Sequence, residues 1–333
     1  MCFSFDVLLS GDIMNITKAG AHREGKMLEV KNIFKSFKDK PVLRGVSLEI
    51  DRGEVYGLIG KNGAGKTTLM NIISQILSAD SGEVWIDGKQ ILSQNDLSGK
   101  LGYILDIPCG FEYLTAYEYL DFLLIPQNLS KEEVERKVDE ILNLVNLSDV
   151  KNKKIKSFSR GMKQRMGIAS GLIFDPEIVI LDEPSSALDP EGRFEVLKII
   201  EKLKEQNKVV MLSTHILNDV ERVCDKIGII NNGVIAISGK TQDVLEEHTK
   251  DAIIIELPKG EQQKLVAGFE GVKEVVSISK TQLGVRVEFM PGCSSKVMKK
   301  ALSLSDNISS IQIEKATIEE IFMNLNKGDK RNV

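Results

Sequence analysis

Residues 55–76 constrain this chain more than any other stretch. The aliphatic and β-branched run Val55 to Ile59 leads straight into Gly60-Lys61-Asn62-Gly63-Ala64-Gly65-Lys66-Thr67-Thr68, and an apolar-periodic segment from Thr67 to Ile76 follows at once. Strand, GxxxxGK[ST], helix is the order a phosphate-binding loop requires. Glycines at 60, 63 and 65 let the main chain curl with its N–H groups pointing inward, and the start of the helix adds partial positive charge. Lys66 brings a full charge to the terminal phosphates of a nucleotide, and the Thr67 hydroxyl can ligate Mg²⁺. Asn62, Ala64 and Thr68 belong to the same nucleotide-binding loop.

Such a loop needs an α/β layer around it, and the flanking pattern supplies one. Between Met27 and Gly239, short β-rich runs (Leu28 to Val30, Val46 to Ile50, Ile178 to Leu181, Val209 to Ser213, Ile227 to Ile230) alternate with helical stretches such as Glu132 to Leu144. That alternation predicts a mainly parallel sheet covered by helices. A different pattern begins near Asp251: strand Ala252 to Leu257, helix Gly260 to Phe269, strands Val272 to Ser279 and Gly284 to Phe289, helix Ser294 to Leu304, strand Ile308 to Ile313. This βαββαβ order predicts a small α+β ferredoxin-like domain over 251–333, after a nucleotide-binding domain over 27–240. A last amphipathic helix is expected from Ile318 to Leu325. Residues 1–26 carry neither a basic leader nor a small-residue cleavage site, and read as an extension, disordered or added by a start placed too far upstream.

The metal and the attacking water need carboxylates. Ile178 to Leu181 ends in Asp182-Glu183-Pro184, where Asp182 can face the metal and Glu183, at the turn, can act as general base. Farther upstream, Phe158-Ser159-Arg160-Gly161-Met162 opens a helix toward Phe174, making a second anion-binding N-terminus. The loop at Gly60 already encloses one set of phosphates. This second site therefore suits a nucleotide held by another subunit.

Together these segments resemble the nucleotide-binding domain of ATP-binding-cassette (ABC) transporters, from about Leu28 to Gly239. The resemblance implies an ATPase that uses ATP and Mg²⁺. Gly60 to Thr67 matches the Walker A loop, Asp182 the end of the Walker B strand, and Glu183 the catalytic glutamate. Ser159 and Gly161 match the signature segment, Asp189 in Ser186-Ala187-Leu188-Asp189 the D-loop, His215 the switch histidine, and Phe37 the aromatic that stacks on adenine. Two departures stand out. Asp106, after Gly102-Tyr103-Ile104-Leu105, occupies the place of a Gln or Glu that reaches the metal and water. Arg160 and Met162 replace Gly and Gln, a form similar to single-cassette subunits of bacterial drug, bacteriocin and lantibiotic exporters. The segment Ala316 to Phe322 also resembles that group's accessory domain.

The resemblance further implies a separate transmembrane permease, a second nucleotide-binding subunit, and a place on the cytoplasmic face of the membrane. The alternative is a soluble ABC ATPase acting on ribosomes or DNA, whose members carry a second cassette or a long coiled coil that this sequence lacks. A net charge of −4 gives no electrostatic reason to expect nucleic acid. Lysines 151, 153, 154 and 156 read as a solvated helix edge. No apolar run reaches the ~20 residues of a membrane-spanning helix. Cys2, Cys109, Cys224 and Cys293 are widely spaced and read as structural thiols.

Overall fold

The computed structural model describes residues 26–105 and 111–328. The expected extension 1–26 therefore lies almost wholly outside the described residues, and Asp106 and Cys109 lie outside them entirely. The chain divides into two compact units, one through Lys240 and one from Thr241.

The first unit opens with β1 (Lys26–Phe37) and β2 (Lys40–Asp51), an antiparallel pair. β3 (Val55–Ile59) leads through the glycine loop into α1 (Lys66–Ile73), which is followed by β4 (Ser81–Ile86), β5 (Lys89–Gln90) and β6 (Leu101–Ile104). Three helices come next: α2 (Ala116–Leu124), α3 (Lys131–Leu144) and α4 (Arg160–Leu172). The unit closes with β7 (Ile178–Asp182), α5 (Pro190–Glu205), β8 (Val209–Thr214), α6 (Leu217–Val223), β9 (Lys226–Asn231) and β10 (Val234–Lys240).

These strands form two sheets. β6, β7, β8, β3 and β9 run parallel, in that order, and β10 joins antiparallel at the β9 edge. Every residue of β3, β7 and β8 is buried. A parallel strand covered on both faces has no solvent side, which is why these segments read as continuous apolar runs without alternation. The second sheet, β2-β1-β4-β5, is antiparallel. Sequence pattern had placed Leu28 to Val30 and Val46 to Ile50 in the parallel layer. The two-residue link Lys38-Asp39 between β1 and β2 permits only an antiparallel hairpin, because a parallel pair needs a crossover of a dozen or more residues.

α1 lies between the two sheets. Leu69, Met70, Ile72 and Ile73 pack with Leu28, Ile33, Val46 and Ile50 of the antiparallel sheet and with Leu58, Ile180 and Met211 of the parallel one. Full burial of each such side chain stabilises by about 1.5–3 kcal/mol. The helix is shorter than the periodicity suggested: Ser74 caps it, and Gln75 turns into the left-handed region at φ 54°. Of the lysines near residue 150, Lys156 lies in the short 3₁₀ turn 155–157 and Lys151, Lys153 and Lys154 lie in the connection between that turn and the one at 148–150, none of them on a helix edge. Lys151 pairs with Asp139 at 2.9 Å, while Lys153, Lys154 and Lys156 face solvent.

The second unit contains α7 (Thr241–His248), β11 (Ala252–Glu256), α8 (Gln262–Phe269), β12 (Val275–Lys280), β13 (Gly284–Phe289), α9 (Ser294–Leu304), β14 (Ser310–Ile313) and α10 (Ile318–Gly328). Its four strands make one antiparallel sheet, ordered β12-β13-β11-β14. Leu265 and Phe269 of α8, with Val297 and Ala301 of α9, pack against Ile253, Ile255, Val285 and Val287. Arg286 bridges Glu314 and Glu288 in this unit, and these contacts hold the Glu288 carboxyl below its usual range.

Candidate functional site

An open cavity of about 450 Å³ lies at the carboxyl ends of β3 and β7, lined by Val42, Asp182, Glu183 and the loop residues Asn62, Gly63 and Gly65 to Thr68. Its floor is the glycine loop. Gly63 and Gly65 take φ of 80° and 109°, a backbone region that favours glycine. A Cβ at Gly65 would also meet Leu43 Cδ2 at 2.7 Å.

Lys66 begins α1 and is 6% exposed, because the helix is held between two sheets. Its ammonium donates to the Gly60 carbonyl at 2.7 Å and the Lys61 carbonyl at 3.3 Å, and stands 3.5 Å from Glu183 Oε1. Carbonyls and a carboxylate satisfy a buried cation that would otherwise be too costly to desolvate.

Asp182 ends β7 as a buried carboxylate with both oxygens engaged. Thr67 Oγ1 donates to Oδ2 at 2.8 Å, and Ser213 Oγ donates to Oδ1 at 2.5 Å. Ser213 also accepts from the Glu183 N–H at 3.0 Å. Glu183 itself takes φ 50°, a conformation that costs a non-glycine residue about 1–3 kcal/mol and persists only where surrounding contacts fix it. Its Oε2 lies 2.7 Å from His215 Nδ1, just past the end of β8. Tyr103 on β6 feels the Asp182 charge: burial first, then that charge, push its phenol above the ordinary range.

The structure thus brings together Gly60, Asn62, Gly63, Ala64, Gly65, Lys66, Thr67, Thr68, Asp182, Glu183 and His215. Phe37 stands outside the cavity, half-exposed at the end of β1. Ser159 and Gly161 also stand outside it: Ser159 caps α4, accepting from Met162 N–H at 3.3 Å. Asp189 caps α5 and accepts from Gly192 N–H at 2.9 Å. The latter two segments are neighbours, since a Cβ on Gly161 would lie 3.6 Å from Gly192 Cα. Sequence reasoning missed Val42, Ser213 and Tyr103. A short-range signal exists only for Ser213, two residues before His215 at the end of an apolar strand.

A phosphate loop at a helix start, faced by an Asp-Glu pair at a strand end and by a histidine just past the end of the next strand, is nucleotide-hydrolysing chemistry. The family model described as ABC transporter matches residues 43–186. The linearmycin resistance ATP-binding protein of Bacillus subtilis is 30% identical over 304 residues, 90% of this chain and 98% of that protein. This chain belongs to the ABC transporter ATP-binding proteins. The lantibiotic transport ATP-binding protein of Streptococcus pyogenes is 38% identical over 69% of this chain and 99% of its own length. Among solved structures, a dimeric ATP-binding cassette in a post-hydrolysis state bound to ADP and Pi matches with a TM-score of 0.58 and 29% identity, covering 64% of this chain and 98% of that one. The present protein is accordingly an ATP-binding, ATP-hydrolysing cassette of mixed α/β P-loop fold.

Proposed function

We propose that this cassette pairs with a second nucleotide-binding subunit, on the cytoplasmic face of a membrane, and powers export through a separate transmembrane permease. One observation carries the reading. Lys66, Thr67, Asp182 and Glu183 line one cavity, with His215 against Glu183, while Ser159 and Gly161 form a helix N-terminus that the chain's own cavity does not use. Two copies facing each other would complete both sites. The linearmycin-resistance and lantibiotic-transport relatives support export, and the dimeric cassette supports pairing. Among the described residues no helix is long and apolar enough to cross a membrane. In this reading the permease supplies the path.

Within the cassette, the loop N–H groups and Lys66 hold the β- and γ-phosphates, and Phe37 stacks on adenine. Thr67 and Asp182 present hard oxygen donors 2.8 Å apart at the cavity edge, a set suited to Mg²⁺. The ion, when bound, neutralises phosphate charge. Glu183 takes the proton of the attacking water, and His215 orients its carboxylate and reaches the γ-phosphate. Asp106 is assigned a place beside the metal and water. Support comes from its position just after β6, whose Ile104 pairs with Leu181, next to Asp182. Ser159, Gly161 and Asp189 serve the partner's nucleotide.

Within the second unit, 251–333 we read as a ferredoxin-like accessory domain. Its βαββαβ order and the sheet order β12-β13-β11-β14 support this.

The test is composition and assembly. A hydrophobic membrane polypeptide should co-purify with the chain from detergent extracts, and Glu183→Gln should trap an ATP-dependent dimer that adding Ser159→Arg abolishes. A monomer by light scattering at every ATP concentration, with and without that polypeptide, would remove the pairing.

A further inference from the structure

We infer that Asp219 is a positioning residue, joining the Glu183 turn to both α5 and the helix behind His215, so that the partner-facing segment and the hydrolytic centre move as one body. The inference rests on the roles proposed above for Glu183 and His215.

Asp219 lies in the first turn of α6, four residues after His215, and is 4% exposed. Its two oxygens are taken by two different parts of the chain. Ser185 Oγ, two residues past Glu183, donates to Oδ2 at 2.8 Å. Arg193 Nη2, on α5 and four residues past the helix cap Asp189, donates to Oδ1 at 2.7 Å. A buried carboxylate of this kind is costly to desolvate, and an apolar residue of similar volume is often equally good or better for stability. What the carboxylate provides is a fixed geometry among three segments.

Glu183 shows why that geometry matters. Its left-handed backbone needs restraint from outside. Ser213 holds its N–H from one side, and the Ser185–Asp219 bond holds the chain two residues on. The same Asp219 rides on the helix that follows His215, whose Nδ1 stands 2.7 Å from Glu183. A shift of about 1 Å in a reacting group can cost about 100-fold in rate. On its other oxygen, Asp219 holds Arg193, next to Gly192, which lies beside Gly161 at the start of α4. Two hydrogen bonds through Asp219 therefore link the turn after Glu183 to Arg193, and the neighbouring Gly192 lies 3.6 Å from where a Cβ on Gly161 of the signature segment would stand. None of these linking side chains lines the phosphate cavity.

A joint of this kind predicts loss of turnover with ATP binding spared. Arg193 is about a third exposed on its side chain, so Arg193→Gln disturbs less buried structure than Asp219→Asn and keeps the test open if Asp219→Asn does not fold. In the purified full-length chain, Arg193→Gln should lower kcat about tenfold or more with KM for ATP within about twofold, because only transition-state positioning is lost. Asp219→Asn should do the same, and the double variant should be no slower than the worse single one, because both break one link. An Arg193→Gln protein with wild-type kcat, or one whose kcat and KM change only in step with a lowered Tm, overturns the inference. Glu183→Gln, measured alongside, separates the two levels. If it loses turnover while Arg193→Gln does not, the base assignment stands and the joint falls; if it retains turnover, both fall.

Discussion

His215 Nδ1 and Glu183 Oε2 lie 2.7 Å apart, although 32 residues separate them in sequence. The Glu183 carboxylate faces His215 through one oxygen and Lys66, at 3.5 Å, through the other. This places the Glu183 carboxylate between the Lys66 ammonium and the His215 imidazole.

From that pair follows the first expectation. Glu183→Gln should bind ATP with near-normal affinity and lose about 10²–10⁴-fold in turnover, the range a positioned general base contributes. His215→Ala should fall within the same range. Fluorescent-nucleotide binding and phosphate release decide it; a Glu183→Gln enzyme at wild-type rate would refute the base.

Thr67 and Asp182 share one hydrogen bond at 2.8 Å. Asp182→Asn keeps the shape but removes the charge that suits a divalent cation. The Mg²⁺ concentration for half-maximal ATPase should rise by about tenfold or more, as loss of roughly 1.4 kcal/mol or more of metal affinity implies. An unchanged magnesium titration would take Asp182 out of the metal site.

Gly65 sits at φ 109° with Leu43 Cδ2 2.7 Å from where a Cβ would stand. Gly65→Ala should destabilise the first unit by about 1–3 kcal/mol through backbone strain and abolish ATP binding by opening the loop. Thermal unfolding with and without ATP tests both parts. A variant with an unshifted Tm that ATP still stabilises would show the loop tolerates the methyl group.

Two capping boxes predict a specific acid response. Glu118 accepts from the Thr115 N–H at 2.7 Å and Glu133 from the Ser130 N–H at 2.8 Å, and these backbone donors hold both carboxyls below their usual range. A carboxyl depressed by folding contributes stability that is present above its unfolded pKa and lost as pH falls through the folded value. Between about pH 5 and pH 3, Tm should therefore fall less steeply in Glu133→Gln than in the wild type. Parallel melting curves across that window, with equal slopes, would count against the cap.

How much of this was legible in the chain depends on the distance over which each feature is encoded. The glycine loop, the Asp182-Glu183 pair, the Ser159 cap and the six alternating segments after residue 251 are local. Each rests on the conformational freedom of glycine, on a cap or on a hydrophobic period, all set within a few residues. Tertiary structure decided the rest. The hairpin at Lys38-Asp39 moved β1 and β2 into their own antiparallel sheet, and the burial of α1 between two sheets made Lys66 a desolvated cation. Ser213 reaches Asp182 across 31 residues, and Arg193 reaches Asp219 across 26. Hydroxyls and guanidinium groups are common on any sequence. Only the stacking of parallel strands, which brings the ends of β3, β7 and β8 to one edge, selects which of them meet.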